Sequence, residues 1–155
     1  MSSAWFRANA GICVTDGRGH VLAMRRRGAR DTPWQMPQGG IKDHETPEQA
    51  AWRELEEEAG LTRAHARLIG ALLDWVVYEL PPALRSPRLC WGQAQRWFLF
   101  QVAPDAPVRP DGRELDAWTW MRPDELLAET VEFRRPVYRR VFDHFLRETG
   151  TGAPG

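Results

Sequence analysis

The sequence predicts an α+β sandwich: a mixed β-sheet around one strongly marked helix, with a second helix packed on the sheet. Three observations predict it. Runs rich in β-branched and aromatic residues, bounded by Gly, Pro, Asn and Asp, lie on both sides of the marked helix. That helix carries a full start signal at Thr46-Pro47-Glu48-Gln49 and a stop at Gly60. Near the C-terminus, Val137, Val141, Phe142 and Phe145 recur at helical spacing. A chain of 155 residues fits one domain, expected over 1–148, followed by a disordered tail over 149–155.

The elements follow in order. Ala8–Thr15 reads as a strand, Asp16-Gly17-Arg18-Gly19 as a turn, and His20–Met24 as the return strand of a hairpin. The basic stretch Arg25–Pro33 reads as an exposed, mobile loop, and Trp34–Pro37 as a short extended piece leading into Gln38-Gly39-Gly40. Thr46 caps the next helix, Pro47 takes its first position and Gln49 completes a capping box. Ala66–Leu80 is strand-like with a bend at Asp74-Trp75, and Pro81–Leu89, with three prolines, is a loop. Gln95–Val102 is a strand, Pro104–Arg113 an exposed loop, and Asp116–Met121 a strand. A short helix opens at Arg122-Pro123-Asp124 and runs through Ala128, and Phe133–Arg147 forms the last helix. Of the eight tryptophans, Trp52 is expected to pack on the sheet, and Trp97, Trp118 and Trp120 in the core.

Composition narrows the function. With 43% hydrophobic and 27% charged residues the chain is ordinary for a soluble domain. No apolar run of about 18 residues spans a membrane, and MSSAWFRANAG lacks the pattern of a secretory signal. Cys13 and Cys90 sit in apolar, strand-like sequence, so both are expected to be reduced, buried thiols of a cytoplasmic protein. The formal net charge of +0 argues against a protein that coats DNA or RNA nonspecifically. The charges are unevenly spread. Residues 42–58 hold seven acids and two bases, leaving 19 bases and 14 acids elsewhere. An acidic helix within an arginine-rich remainder suits a metal-bound polyphosphate.

The chemistry concentrates between Gly39 and Leu61, GGIKDHETPEQAAWRELEEEAGL. Glu54, Glu57 and Glu58 lie three and four apart, so they crowd one helix face. Like charges so close repel unless a cation sits among them. Hard divalent ions take oxygen ligands and leave positions open for phosphate. The bland alternative is a solvated acidic face formed by Glu56, Glu57 and Glu58.

These 23 residues match the Nudix hydrolase signature through Gly39, Glu45, Arg53, Glu54, Leu55, Glu57, Glu58, Gly60 and Leu61. The flanks extend the likeness from about residue 5 to about residue 146. They include Phe6-Arg7-Ala8-Asn9, Trp34-Gln35-Met36-Pro37-Gln38, Tyr78-Glu79-Leu80-Pro81, Gly92–Phe98, Glu114–Trp118 and Phe133–Val141. Together they resemble the bacterial RNA pyrophosphohydrolases, also described as dinucleoside polyphosphate hydrolases. The resemblance implies a three-layer α/β/α sandwich with a mixed sheet and a catalytic loop-helix-loop. It implies cleavage of pyrophosphate bonds in 5′-triphosphorylated RNA or diadenosine polyphosphates, with magnesium, or manganese in its place.

The same resemblance assigns residues. Glu54, Glu57 and Glu58 match the helix carboxylates that hold the metal, and Glu114 matches a fourth ligand from a distant loop. Glu45 and Arg53, with Gly39, match the positions that orient loop and helix. Arg7 and Arg26 match contacts to phosphates and first bases, Phe133 and Arg134 a stacking residue and its basic neighbour, and Tyr78 a tyrosine of the same channel. On sequence alone Arg26 reads equally as a solvated loop residue, Phe133 as a helix-docking residue, and Glu114 as an ordinary loop acid. The loop before Trp34 is one residue longer than in the relatives, Ala94 stands where lysine is common, and the basic C-terminal extension of some members is missing. The alternatives are a small nucleotide pyrophosphatase and a nucleotide-sensing protein without catalysis. The latter should have lost a helix glutamate, and all three are present.

Overall fold

The computed structural model describes residues 5–26 and 33–148. The elements run β1 (Phe6–Thr15), β2 (Val21–Arg26), β3 (Gln38–Gly40), α1 (Pro47–Ala59), β4 (Ala66–Glu79), β5 (Gly92–Val102), β6 (Leu115–Met121), α2 (Pro123–Glu129) and α3 (Arg135–Glu148). Among the described residues they form one six-stranded mixed sheet of order β4-β5-β1-β2-β6, with β3 paired to β1. The core of the sheet is the parallel pair β1–β5, in register from Phe6 opposite Gly92 to Thr15 opposite Gln101.

Side chains alternate across a strand, and the two faces of β1 feed two separate cores. Ala10, Ile12 and Val14 join Leu22, Met24, Phe98 and Phe100 beneath Ala50, Ala51, Leu55 and Ala59 of α1. On the other face Cys13, Trp97 and Leu99 join Leu72 and Val76 beneath Val137, Tyr138, Val141, Phe142 and Phe145 of α3. Helices therefore cover both faces, and the expected α/β/α sandwich is the fold.

The helix α1 forms as its ends dictate. Thr46 accepts from the Gln49 N–H at 3.1 Å while the Gln49 side chain accepts from the Thr46 N–H at 2.9 Å. Gly60 closes the helix in the left-handed region at φ 70°. Trp52 packs edge-on against Phe100 with centroids 4.7 Å apart, and Trp97 is fully buried, both as expected. Trp118 and Trp120 are only partly buried, packed against the α1-side core.

The strands run longer than the sequence suggests. β1 begins at Phe6 and β5 at Gly92, because each supplies the other's hydrogen-bonding partners. β2 continues through Arg25 and Arg26, two residues read as loop, by pairing with β6. The expected β1–β2 hairpin closes only at Thr15 opposite Val21. Beyond that the strands part, because β3 pairs with β1 from Asn9 opposite Gly40 to Gly11 opposite Gln38. Asp74-Trp75 marks a register irregularity between Leu72 and Val76 within a continuous β4. Cys90 corrects a further expectation. It lies before β5 in a loop, half-buried, with φ at 60°, while Cys13 is buried; both are free thiols. The remainder of the basic loop, 27–32, and the tail, 149–155, lie outside the described residues. No helix among the described residues is long and apolar enough to cross a membrane.

One buried contact ties α3 to the strand that leads into the site. The Tyr138 hydroxyl accepts from the Met36 N–H at 2.9 Å, and both residues are fully buried. Burial pushes the Tyr138 hydroxyl up to about 12, so it stays protonated. Tyr138→Phe leaves that amide without its partner and should lower stability by about 1–3 kcal/mol. Urea unfolding reads this directly, and an unchanged midpoint would show that another acceptor replaces the hydroxyl.

Candidate active site

The site is assembled around Arg53, from the middle of α1. Its Nε donates to Glu45 Oε2 at 2.6 Å, and its Nη2 to Glu45 Oε1 at 2.9 Å and to the Gly40 carbonyl at 2.8 Å. Its Nη1 donates to Glu54 Oε1 at 2.8 Å and Glu57 Oε2 at 3.1 Å. Arg53 thus binds the loop before the helix and two helix carboxylates at once. The guanidinium holds the Glu45 carboxyl down to about 2, and Glu45 and Glu54 together raise the Arg53 pKa further above its ordinary value. Glu45 also accepts from the Lys42 N–H at 2.9 Å, which closes the loop onto the arginine.

The three helix carboxylates do not stand alike. Glu54 and Glu58 are buried, at 8% and 6% exposure, whereas Glu57 is open to solvent and leans on Arg53. The three acids that the spacing places on one face therefore differ in their surroundings. Residues four apart share one face of α1, and that face, which carries Ala50, Glu54 and Glu58, packs towards the sheet and β3. Burial pushes the Glu58 carboxyl up to about 9, helped by the charges of Glu54, Glu114 and Asp111. Burial also raises Glu54, against the pull of Arg53.

Glu114 is therefore close enough to act on Glu58, although 56 residues separate them. Two contacts bring it there. The Arg109 N–H donates to the Ala59 carbonyl at 2.7 Å, pinning the loop to the end of α1. The Asp111 Oδ1 then accepts from the N–H groups of Arg113, Glu114 and Leu115 at 2.8, 3.1 and 3.1 Å. Asp111 is a site residue the sequence reading missed. Asp111-Gly112 is turn chemistry and was the available signal.

Among the described residues no three His, Cys, Asp or Glu side chains converge closely enough to hold a metal ion as they stand. The donor chemistry nevertheless fits a hard divalent cation. Oxygen ligands with no thiolate or imidazole are what such an ion takes, and the charges of Glu54, Glu114 and Asp111 all bear on Glu58. Glu57 joins that set only by turning from Arg53.

A single short strand separates this acidic side from a basic one. A methyl group added at Gly39 would overlap the Glu54 carboxylate, and one added at Gly40 would overlap the Arg7 guanidinium. Both glycines are needed for close approach rather than for unusual backbone angles. Tyr78, Gln93 and Arg7 are register partners across β4, β5 and β1 and so share one face. Phe133, in the turn Glu132–Arg134 before α3, stacks on Tyr78 with centroids 6.0 Å apart and planes at 26°. Arg134 lies 5.2 Å over the Phe133 ring and donates to Gln35 at 3.3 Å. Arg7, Tyr78, Phe133 and Arg134 are thus gathered on one side of β3. Arg26 stands apart, exposed at the end of β2 and opposite Leu115, one residue from Glu114.

Beneath this side runs a buried amide network. Gln95 Nε2 donates to Asn9 Oδ1 at 2.9 Å and to Gln38 Oε1 at 2.7 Å, and Gln95 Oε1 accepts from the Trp97 indole at 3.1 Å. It fixes β3 to the centre of the sheet.

The ion pair at Glu45 has a pH signature. Its carboxyl is lowered from 4.5 to about 2, so its stabilisation is complete above about pH 4.5 and fades as pH falls towards 2. The stability gap between the wild type and Glu45→Gln should therefore narrow between urea unfolding at pH 6 and at pH 3. A gap of constant size would detach it from the carboxylate charge.

Comparison with known proteins gives concordant results. The model of the NUDIX domain matches residues 5–141. A protein of Saccharophagus degradans named RNA pyrophosphohydrolase is 41% identical over 162 aligned positions, covering 95% of this chain and 94% of its own. One of Marinomonas sp. with the same name is 42% identical, covering 91% of each chain. Among solved structures, the Escherichia coli dihydroneopterin triphosphate pyrophosphohydrolase superposes with a TM-score of 0.75 at 20% identity, covering 92% of this chain and 98% of its own. The Caenorhabditis elegans Ap4A hydrolase, in a binary complex, gives 0.69 at 19% identity with the same coverage. At that identity the structures speak for the fold alone.

Proposed function

This chain belongs to the NUDIX domain family, and from that premise we propose that it is a divalent-metal-dependent pyrophosphohydrolase acting on the 5′-triphosphate end of RNA. Diadenosine polyphosphates, which present the same phosphate chain between two nucleosides, form its second substrate class. One observation carries this reading. Gly39 and Gly40 bring the buried Glu54 carboxylate and the Arg7 guanidinium to either side of one short strand. A phosphate chain crossing that strand meets metal ligands on one side and cationic and aromatic groups on the other. The relatives, 41% and 42% identical over at least 91% of this chain and named RNA pyrophosphohydrolase, support the choice of RNA. A cytoplasmic place in RNA decay accords with that choice.

Glu54, Glu57, Glu58 and Glu114 would hold magnesium, or manganese in its place. A bound divalent ion neutralises the phosphate chain and polarises a water for attack. Arg53 and Glu45 hold the helix and loop in place for those ligands. Arg7 and Arg26 receive phosphate and the first nucleotide, and Arg134, Phe133 and Tyr78 receive a base.

Purified protein with magnesium, given triphosphorylated RNA, diadenosine tetraphosphate and free nucleotides in parallel, tests the reading. Preference for free nucleotides would transfer the assignment to a small nucleotide pyrophosphatase. Binding without turnover of any of them would indicate a sensor.

Glu57→Gln should lower turnover by roughly 100-fold or more. It should leave stability within about 1 kcal/mol, because an exposed ion pair contributes little. A near wild-type rate at saturating magnesium would remove Glu57 from the mechanism. Glu114→Ala should lower the rate and raise the magnesium concentration needed for half-maximal activity. An ordinary surface residue would leave both within about twofold.

Phe133→Ala separates RNA from mononucleotides. Stacking on an aromatic ring is worth about 1–3 kcal/mol per base, so RNA of several nucleotides should lose affinity while a free nucleoside triphosphate loses far less. Equal losses would assign Phe133 to packing on Tyr78.

A further inference from the structure

The row Tyr78–Gln93–Arg7 lies near the end of the sheet, and the chain continues past it on two strands. Two residues ahead of Arg7 and Gln93 stand Trp5 and Trp91, about 7 Å further at roughly 3.3 Å per residue. The Trp91 N–H donates to the Trp5 carbonyl at 2.8 Å, which prolongs the β1–β5 pairing. The two indoles meet edge to face, with centroids 4.7 Å apart and planes at 73°. Arg85 lies 4.7 Å over the Trp91 ring and is itself anchored on the Leu80 carbonyl at 2.9 Å and on Glu79 at 3.1 Å. Trp5 is 54% exposed and Trp91 47%. The two rings in contact thus form one continuous exposed aromatic surface.

Its position and charge say what it meets. It adjoins the Arg7 and Tyr78 side of the site. The connection 80–91 carries Arg85 and Arg88 and no acid. Exposed aromatic rings interleaved with arginine form the platform on which single-stranded bases stack. We infer that the Arg85–Trp91–Trp5 platform takes bases of the RNA chain downstream of those at the triphosphate end, so that the protein grips a longer segment than it reacts with. The inference rests on the RNA reading above.

The test is equilibrium binding of 3′-labelled triphosphorylated RNAs of two and eight nucleotides, in EDTA to prevent turnover. The octanucleotide should bind the wild type at least about 5-fold more tightly than the dinucleotide, the lower end of one stacked base. Trp91→Ala and Trp5→Ala should each erase most of that advantage, and Trp91→Phe should keep it. Affinity for the dinucleotide and hydrolysis of diadenosine tetraphosphate should stay within about twofold. Equal loss on both lengths, or no length advantage in the wild type, overturns the inference. So does a wild-type dimer in sedimentation that Trp91→Ala splits, because a second copy would then be the occupant. Failure of the RNA reading shows separately, as absent RNA hydrolysis with magnesium. Length-dependent binding erased by Trp91→Ala stands even then.

Discussion

Everything in the site depends on the saturation of one guanidinium. Arg53 has five N–H donors, and each has an acceptor: two on Glu45, one on the Gly40 carbonyl, one on Glu54 and one on Glu57. Hydrogen bonds to charged groups are worth about 1.5–3 kcal/mol each. Their main effect here is geometric, because a planar fork fixes direction as well as distance. A lysine offers three donors from a single atom and cannot span loop, strand and helix together. The arginine also pulls against the burial of Glu54, which still raises that carboxyl above its ordinary value.

The sheet supplies the second constraint, which is closeness. β3 is three residues long and can seat between β1 and β2 because those strands separate just beyond Thr15 and Val21. Gly11 makes room in the same region. A methyl group there would overlap the Trp97 ring that fills the α3-side core. The amides of Asn9, Gln38 and Gln95 then lock β3 to the parallel pair from below. The Glu54 carboxylate lies against Gly39 and the Arg7 guanidinium against Gly40, so glycine backbone stands between the two charges.

How much of this was legible in the sequence follows from the range of each interaction. The helix α1 was fully legible, since its cap, first-turn proline and closing glycine act within a few residues. The pairing of Glu45 with Arg53 was legible only through the family resemblance, as eight residues and a loop intervene. Strand ends were misread at Phe6, Arg25, Arg26 and Gly92, because each is held in extension by a strand remote in sequence. Burial of Glu54 and Glu58 was not readable, as the helix pattern shows which residues share a face but not what covers it. The stacking of Phe133 on Tyr78 joins residues 55 apart, and no periodicity records that. Asp111 was overlooked because a turn-forming aspartate is common, and only its three amide contacts distinguish it.

The parallel β1–β5 pair also bears on how the chain acquires its fold during synthesis. β1 leaves the ribosome well ahead of its partner, which ends at Val102. At about 5–20 residues per second, the 87 residues from Thr15 to Val102 take roughly 4–17 s to add. Throughout that interval the apolar stretch from Ala10 to Val14 has only β3 and a single rung of β2 to pair with. A strand buried along most of its length is thus left without its main partner until most of the domain has been made.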